Sequence, residues 1–228
     1  MRKEVIILGV VAAVVVVGLV IGSGYYRDSV QSERKGVTNA NGKTADAGTL
    51  IRPDNWSVGP VDAKVTVVEW YDPECESCAA FAPVVKKIMK DYEGRIRLVT
   101  RYVPNHKNSL TAATFTEAAG EQGKYWQAQE LLFIKQGEWG EKHGAPPDPN
   151  APPLNALFDK YARELGLDMD KAGASIKARK FDAKIEQDKK DAQSLGVRRT
   201  PTFFVNGREL ARLGESDLRK LIDDELNR

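Results

Sequence analysis

The chain has 228 residues, with 34 Lys and Arg against 32 Asp and Glu for a formal net charge of +2, and 42% of it is hydrophobic. This is ordinary globular composition and excludes a collagen, a coiled coil or wholesale disorder, while the near-neutral balance removes the electrostatic footprint of a nucleic-acid binder. Two cysteines are too few for a disulfide-stapled mini-protein, and two histidines, His106 and His143, argue against a multi-histidine metal site.

Taken in chain order, the first feature is Val5 to Gly22, 18 consecutive uncharged residues rich in Val, Ile, Leu and Ala. As a helix it would span about 27 Å, close to the roughly 30 Å hydrocarbon core of a bilayer. Arg2 and Lys3 precede it and Tyr25 and Tyr26 follow, so residues 1–22 read as a transmembrane anchor with the N-terminus in the cytoplasm and the rest of the chain outside. The alternative is a cleaved signal peptide, but those have shorter apolar cores, and Ile21, Gly22 and Ser23 make a poor cleavage site. Either way the remainder is exported. Residues 23–54 are polar and rich in Gly, Asn, Thr, Ser and Lys, and read as a flexible linker.

From Lys64 to Tyr71 the chain is β-branched, aromatic and almost continuously apolar, which predicts a strand covered on both faces. Asp72 and Pro73 end it. Cys75 to about Tyr92 predicts a helix with Pro83 inside, and Arg95 to Val103 a second strand, completing a βαβ unit with parallel strands. A helical region follows at about 108–195: a helix capped by Asn108 or Ser109 and running to about Lys135, a proline-rich loop from Glu141 to Pro153, a helix over Leu154 to Leu165, and one over Asp170 to Leu195 broken near Gly173 and closed by Gly196. Thr202 to Val205 then predicts a strand, Asn206 and Gly207 a two-residue hairpin turn, Glu209 to Leu213 a return strand, and Ser216 caps a last helix to about Leu226. The expected fold class is α/β: a βαβ half and a ββα half around a central mixed sheet, with an inserted helical lobe.

The chemistry concentrates in Cys75-Glu76-Ser77-Cys78. Two randomly placed cysteines would show this spacing about once in a hundred sequences, and the pair lies just after a strand, at a helix start. There the unpaired N–H groups and about half a positive charge stabilise a thiolate, the reactive form in disulfide exchange. Two other readings compete. A structural disulfide closing so short a loop removes little chain entropy. Half of a zinc site would need two more ligands, and there are only two histidines and no second cysteine pair.

The segments EWYDPECESCAAFAP (69–83) and GVRRTPTFFVNG (196–207) together resemble the thioredoxin superfamily, and the long helical insertion resembles its bacterial DsbA-like branch. The resemblance covers residues 55–228. It implies a thiol–disulfide oxidoreductase with Cys75 as the attacking cysteine, Cys78 as the resolving one, Glu69 as a buried acid exchanging a proton with the resolving thiol, and Pro201 as a cis-proline facing the pair, with Thr200 beside it to bind an extended peptide. Bottom-up, Glu69 is a carboxylate in an apolar strand whose pKa burial would raise.

One departure bears on direction. Strong oxidants of this family carry Pro-His between the cysteines, whereas here Glu76 and Ser77 stand there. Glu76, pointing inward, would raise the pKa of Cys75 and make the couple less oxidising. Arg198 and Arg199 would partly offset it. The expected activity is oxidation of cysteines in exported proteins through a mixed disulfide, with reduction or isomerisation as the alternative. No cofactor beyond the Cys75–Cys78 disulfide, no metal and no nucleic acid is implied. The implied partners are the exported substrates, an unidentified membrane or extracytoplasmic protein that resets the cysteines, and the bilayer. A metal-handling protein and a peptide-gripping module without turnover are the rival classes.

Overall fold

A computed structural model describes residues 37–38, 44–45, 47–141 and 150–228. The Val5–Gly22 run, most of the linker, and residues 142–149 of the proline-rich loop lie outside the described residues. Among those described, no helix is long and apolar enough to cross a membrane.

A small hairpin pairs β1 (Val37–Thr38) with β2 (Thr44–Ala45), and a short helix α1 (Ala47–Leu50) follows. The main sheet has five strands in the order β3 (Trp56–Val58), β5 (Ile96–Tyr102), β4 (Val65–Tyr71), β6 (Thr202–Val205) and β7 (Arg208–Glu209). β4 and β5 are parallel and joined by α2 (Glu76–Asp91), as the βαβ reading expects; the remaining pairs are antiparallel. Between β5 and β6 lie α3 (Ser109–Gly120), α4 (Tyr125–Ile134), α5 (Gln136–Trp139), α6 (Leu154–Glu164), α7 (Met169–Lys177) and α8 (Asp182–Leu195), and α9 (Glu215–Leu226) closes the chain.

β4 is central and covered on both faces, so its apolar run has no polar alternation. Val65 and Val67 pack with Val85 and Ile88 of α2, whereas Val68 and Trp70 pack with Leu50 and Ala192 on the opposite face. The helical lobe has its own core, in which Phe115, Leu132, Trp139, Phe158 and Tyr161 meet.

Several boundaries differ from expectation. The helix expected from residue 108 to 135 is two, because Gly123 takes φ +73° and turns the chain. Gly120 ends the first of them under the Trp56 ring, where a Cβ would stand 2.4 Å from Cζ2. The break expected near Gly173 falls at residues 178–181 instead, where Arg179 adopts φ 54°, and Gly173 lies inside α7. Asn108 makes no side-chain cap; its amide is used elsewhere, as described below. Gly214, not Ser216, caps α9, and the return strand shrinks to Arg208–Glu209. Asn206 and Gly207 both have positive φ, as the two-residue turn requires. Gly196 closes α8 at φ +74°, with the Val197 N–H returning to the Ala192 carbonyl at 2.9 Å.

The end of the linker is docked rather than free. Arg101 of β5, wholly buried, donates to Asp188 (2.7 Å) and Asp191 (2.5 Å) of α8 and to the carbonyls of Thr49 (2.8 Å) and Leu50 (2.9 Å), and stacks on the Trp70 ring at 4.3 Å. Arg52 adds bonds to the same two acids at 2.7 and 2.6 Å. Removing one partner of such a buried network leaves a charge uncompensated. Asp188→Ala is therefore expected to cost about 3–5 kcal/mol of stability in urea unfolding, while Asp224→Ala, which breaks only the exposed pair with Lys220, changes it by less than about 0.5 kcal/mol.

Candidate active site

β4 delivers the chain to α2 through Asp72, Pro73 and Glu74, and Cys75 is the residue that caps the helix. It has extended dihedrals (φ −72°, ψ 120°) and no side-chain capping bond, so the sulfur is left beside the unpaired N–H groups of the first turn. Cys75 keeps 9% of its surface while Cys78, one turn in, keeps none. Both are free thiols. The Thr200–Pro201 peptide is cis, and the Thr200 carbonyl lies 3.4 Å from Cys75 Sγ. Glu69 is buried in β4, on the sheet face covered by α2, paired in register with Thr100 and Phe203. Cys75, Cys78, Thr200 and Pro201 thus meet at one end of α2, with Glu69 beneath.

The two sulfurs are driven apart in acidity. A hydrogen bond from the Cys78 thiol is the largest influence on Cys75; burial opposes it, and Thr200 and the backbone N–H groups of Cys78 and Ser77 add to it, so that Cys75 falls to about 5. Burial, joined by the same bond and by the charges of Cys75 and Glu69, pushes Cys78 far above the ordinary thiol range. Burial raises Glu69 to about 8. These directions suit a thiolate at Cys75, a sulfur at Cys78 that departs only when it is given a proton, and a carboxyl at Glu69 that still holds one near neutral pH.

Glu76 and Ser77, expected as modulators, carry exposed side chains. Cys75 is lowered rather than raised, chiefly by the Cys78 thiol; the Glu76 side chain is exposed, and the Ser77 contribution comes through its backbone N–H. Arg199 is also exposed, its guanidinium on the Ala211 carbonyl at 3.3 Å, and Arg198 is exposed beside it. Sequence reasoning missed a different set. Asp72 and Glu74, which flank Pro73 just before the motif, are buried carboxylates. Asp72 accepts from the Ser109 hydroxyl (2.5 Å), the Asn105 N–H (2.7 Å) and the His106 ring (2.7 Å). Glu74 accepts from the N–H groups of Asn108 (2.5 Å) and Glu141 (2.8 Å) and from the Asn108 amide (3.0 Å), which also reaches the Trp139 carbonyl (3.1 Å). Two acids so close to a cysteine pair were the available signal; they read only as the end of a strand.

The family model described as Thioredoxin matches residues 52–224. The chain belongs to the thioredoxin family. Among solved structures, a thioredoxin-like oxidoreductase from Silicibacter pomeroyi DSS-3 is similar with a TM-score of 0.66 and 28% identity, covering 81% of this chain and 99% of that one. Oxidised BdbD from Bacillus subtilis is similar with a TM-score of 0.64 and 26% identity, covering 75% and 92%. Among curated proteins, the Na(+)/H(+) antiporter NhaA 1 of Salinispora arenicola is 37% identical over 162 residues, which are 69% of this chain and 22% of that protein. The chain thus spans less than a quarter of that relative's length.

In this thioredoxin-family sheet the position of Glu69 has a measurable cost. The folded state holds its proton up to about pH 8, whereas an unfolded chain releases it near the ordinary glutamate value of about 4.3. Stability must therefore fall as pH rises between those values, by about 3 kcal/mol at pH 7. Glu69→Gln is expected to remove that slope, so that its advantage over the native chain in urea unfolding widens from about pH 4.5 to about pH 8. Parallel pH profiles for the two proteins would refute it.

Proposed function

We propose that the chain is a thiol–disulfide oxidoreductase, tethered to the cytoplasmic membrane by residues 1–22 with residues 55–228 on the outer side, and that it oxidises cysteines of exported proteins. The observation that carries the reading is the stabilised Cys75 thiolate, held at about 5 by the Cys78 thiol and the first turn of α2. A stabilised thiolate stabilises the dithiol form of the enzyme, and a dithiol that is easily formed makes its disulfide a strong oxidant.

In the oxidised enzyme a substrate thiolate attacks Cys75 Sγ and displaces Cys78 as the leaving sulfur. Cys78, far more basic, takes a proton, which Glu69 is placed to supply. A second substrate thiolate then attacks the substrate sulfur of the mixed disulfide and releases Cys75 as a thiolate. Two substrate thiols are oxidised to one disulfide, and the two electrons reside in the Cys75–Cys78 dithiol until a membrane or extracytoplasmic partner accepts them. The backbone at Thr200 and Pro201, beside Cys75, is the edge against which an extended substrate peptide would pair. No cofactor other than the cysteine pair enters the scheme. The S. pomeroyi neighbour named as an oxidoreductase supports the reaction class.

Equilibration with glutathione tests the direction. A value of about 5 lies between thioredoxin at about 7 and DsbA at about 3.5, so the potential should fall between about −270 and −120 mV. A potential at or below about −270 mV would overturn the oxidase direction in favour of a reductase. Cys75→Ser should abolish oxidative refolding of a reduced substrate, and Cys78→Ser should retain mixed disulfides because the resolving sulfur is gone.

A further inference from the structure

The sequence between the cysteines offers no cation, and neither arginine of the 198–199 pair reaches the sulfur. A titratable imidazole does stand beside the segment that leads into Cys75. His106, in the loop after β5, places Nδ1 2.7 Å from Asp72 Oδ2, and its backbone N–H points to the same oxygen at 3.3 Å and to Ser109 Oγ at 3.1 Å. Asp72 has a wholly buried side chain surrounded by donors: besides His106, the N–H groups of Glu74 (2.8 Å) and Asn105 (2.7 Å) and the Ser109 hydroxyl (2.5 Å). Its backbone carbonyl accepts the Cys75 N–H at 3.1 Å. One residue therefore fixes the imidazole with its side chain and the sulfur's backbone with its main chain. Because Nδ1 faces a carboxylate it carries the proton, and the ring ionises at Nε2.

The geometry points to the Asp72–His106 pair as the electrostatic partner of the Cys75 thiolate, a positioning device in which a buried carboxylate holds an imidazolium at the rim of the site. This rests on the oxidoreductase reading above. The charged and titratable groups around His106 are Asp72 and Glu74 from the segment before α2, Cys75 at the helix start and Lys107 on its own loop. A proton on His106 adds a positive charge two bonded contacts from Cys75, ring to Asp72 side chain and Asp72 carbonyl to the Cys75 N–H; loss of that proton removes the charge. Partial burial pulls the His106 pKa down, but the bond and charge of Asp72, joined by the charges of Cys75 and Glu74, override it and the pKa is raised.

Coupling of this kind is reciprocal: whatever a proton on His106 does for the thiolate, the thiolate does for His106. The test is an NMR pH titration of the two imidazoles of the whole chain in its dithiol and disulfide states, with His106→Gln assigning the signals. The His106 midpoint should lie about half a unit to one unit higher in the dithiol state, a roughly threefold to tenfold gain in proton affinity. Equal His106 midpoints in the two states would overturn the proposal. In His106→Gln, which keeps a donor for Asp72 but not the charge, the Cys75 midpoint read by thiolate absorbance should rise by the same amount and the potential drop by about 15–30 mV. If the variant loses stability while the Cys75 midpoint stays put, His106 is structural only and the proposal fails. If Cys75 of the native chain itself titrates as an ordinary thiol, the oxidoreductase reading fails first, and the two failures are separable.

Discussion

The hydrogen bond from the Cys78 thiol to the Cys75 sulfur organises everything else at this site. A single shared proton makes one sulfur an anion and the other a reluctant acid. That division is set by placement, since two residues of identical chemistry sit one turn apart on α2. Cys75 stands where the helix still has N–H groups to give; Cys78 is already inside, where burial penalises charge. Burial opposes the thiolate on Cys75 too, so the anion exists only because the Cys78 thiol, Thr200 and the backbone N–H groups together outweigh it.

That balance is harder to hold because the approach to the helix is acidic. Asp72 and Glu74 are both buried within three residues of a sulfur that must be negative. An unpaired buried carboxylate would be prohibitive there. Each is instead saturated with donors from the loop after β5 and from the helical lobe: Asn105, His106 and Ser109 for Asp72, Asn108 and Glu141 for Glu74. The same bonds fasten the lobe to the segment that presents Cys75. This explains why Asn108 is not the cap its sequence position invites: its amide bridges Glu74 and the Trp139 carbonyl.

What the residues disclosed by themselves follows the range of the forces involved. β4, α2, β5 and β6 were legible because β-branched runs, a helical apolar spacing and a two-residue turn are local signals. The cysteine pair was legible because spacing and placement after a strand carry its chemistry. The three-residue strand at Trp56 was not, since it exists only by pairing with Thr100, Val99 and Leu98, some forty residues away. The docking of residues 47–52 was hidden for the same reason: it depends on Arg101 and α8. His106 carried no local signal at all, as its significance comes from Asp72, 34 residues earlier. Glu76 misled because adjacency in sequence was read as proximity in charge, whereas the first turn of a helix points that side chain to water.

The period of two in β4 and β5 separates the chemistry from the scaffold. Glu69 and Tyr71 pair in register with Thr100 and Tyr102, and this face looks toward α2 and the cysteines. Trp70 pairs with Arg101 between them, and this face carries the ionic network with Asp188 and Asp191. A slip of one residue would exchange the faces. In β5 it would take Arg101 away from Asp188 and Asp191, and in β4 it would turn Glu69 toward those two aspartates. The Arg101 network therefore stabilises more than the back of the sheet. By making a one-residue slip ionically costly, it helps to fix which face of β4 presents Glu69, and so to place a neutral, protonated carboxyl beneath Cys78.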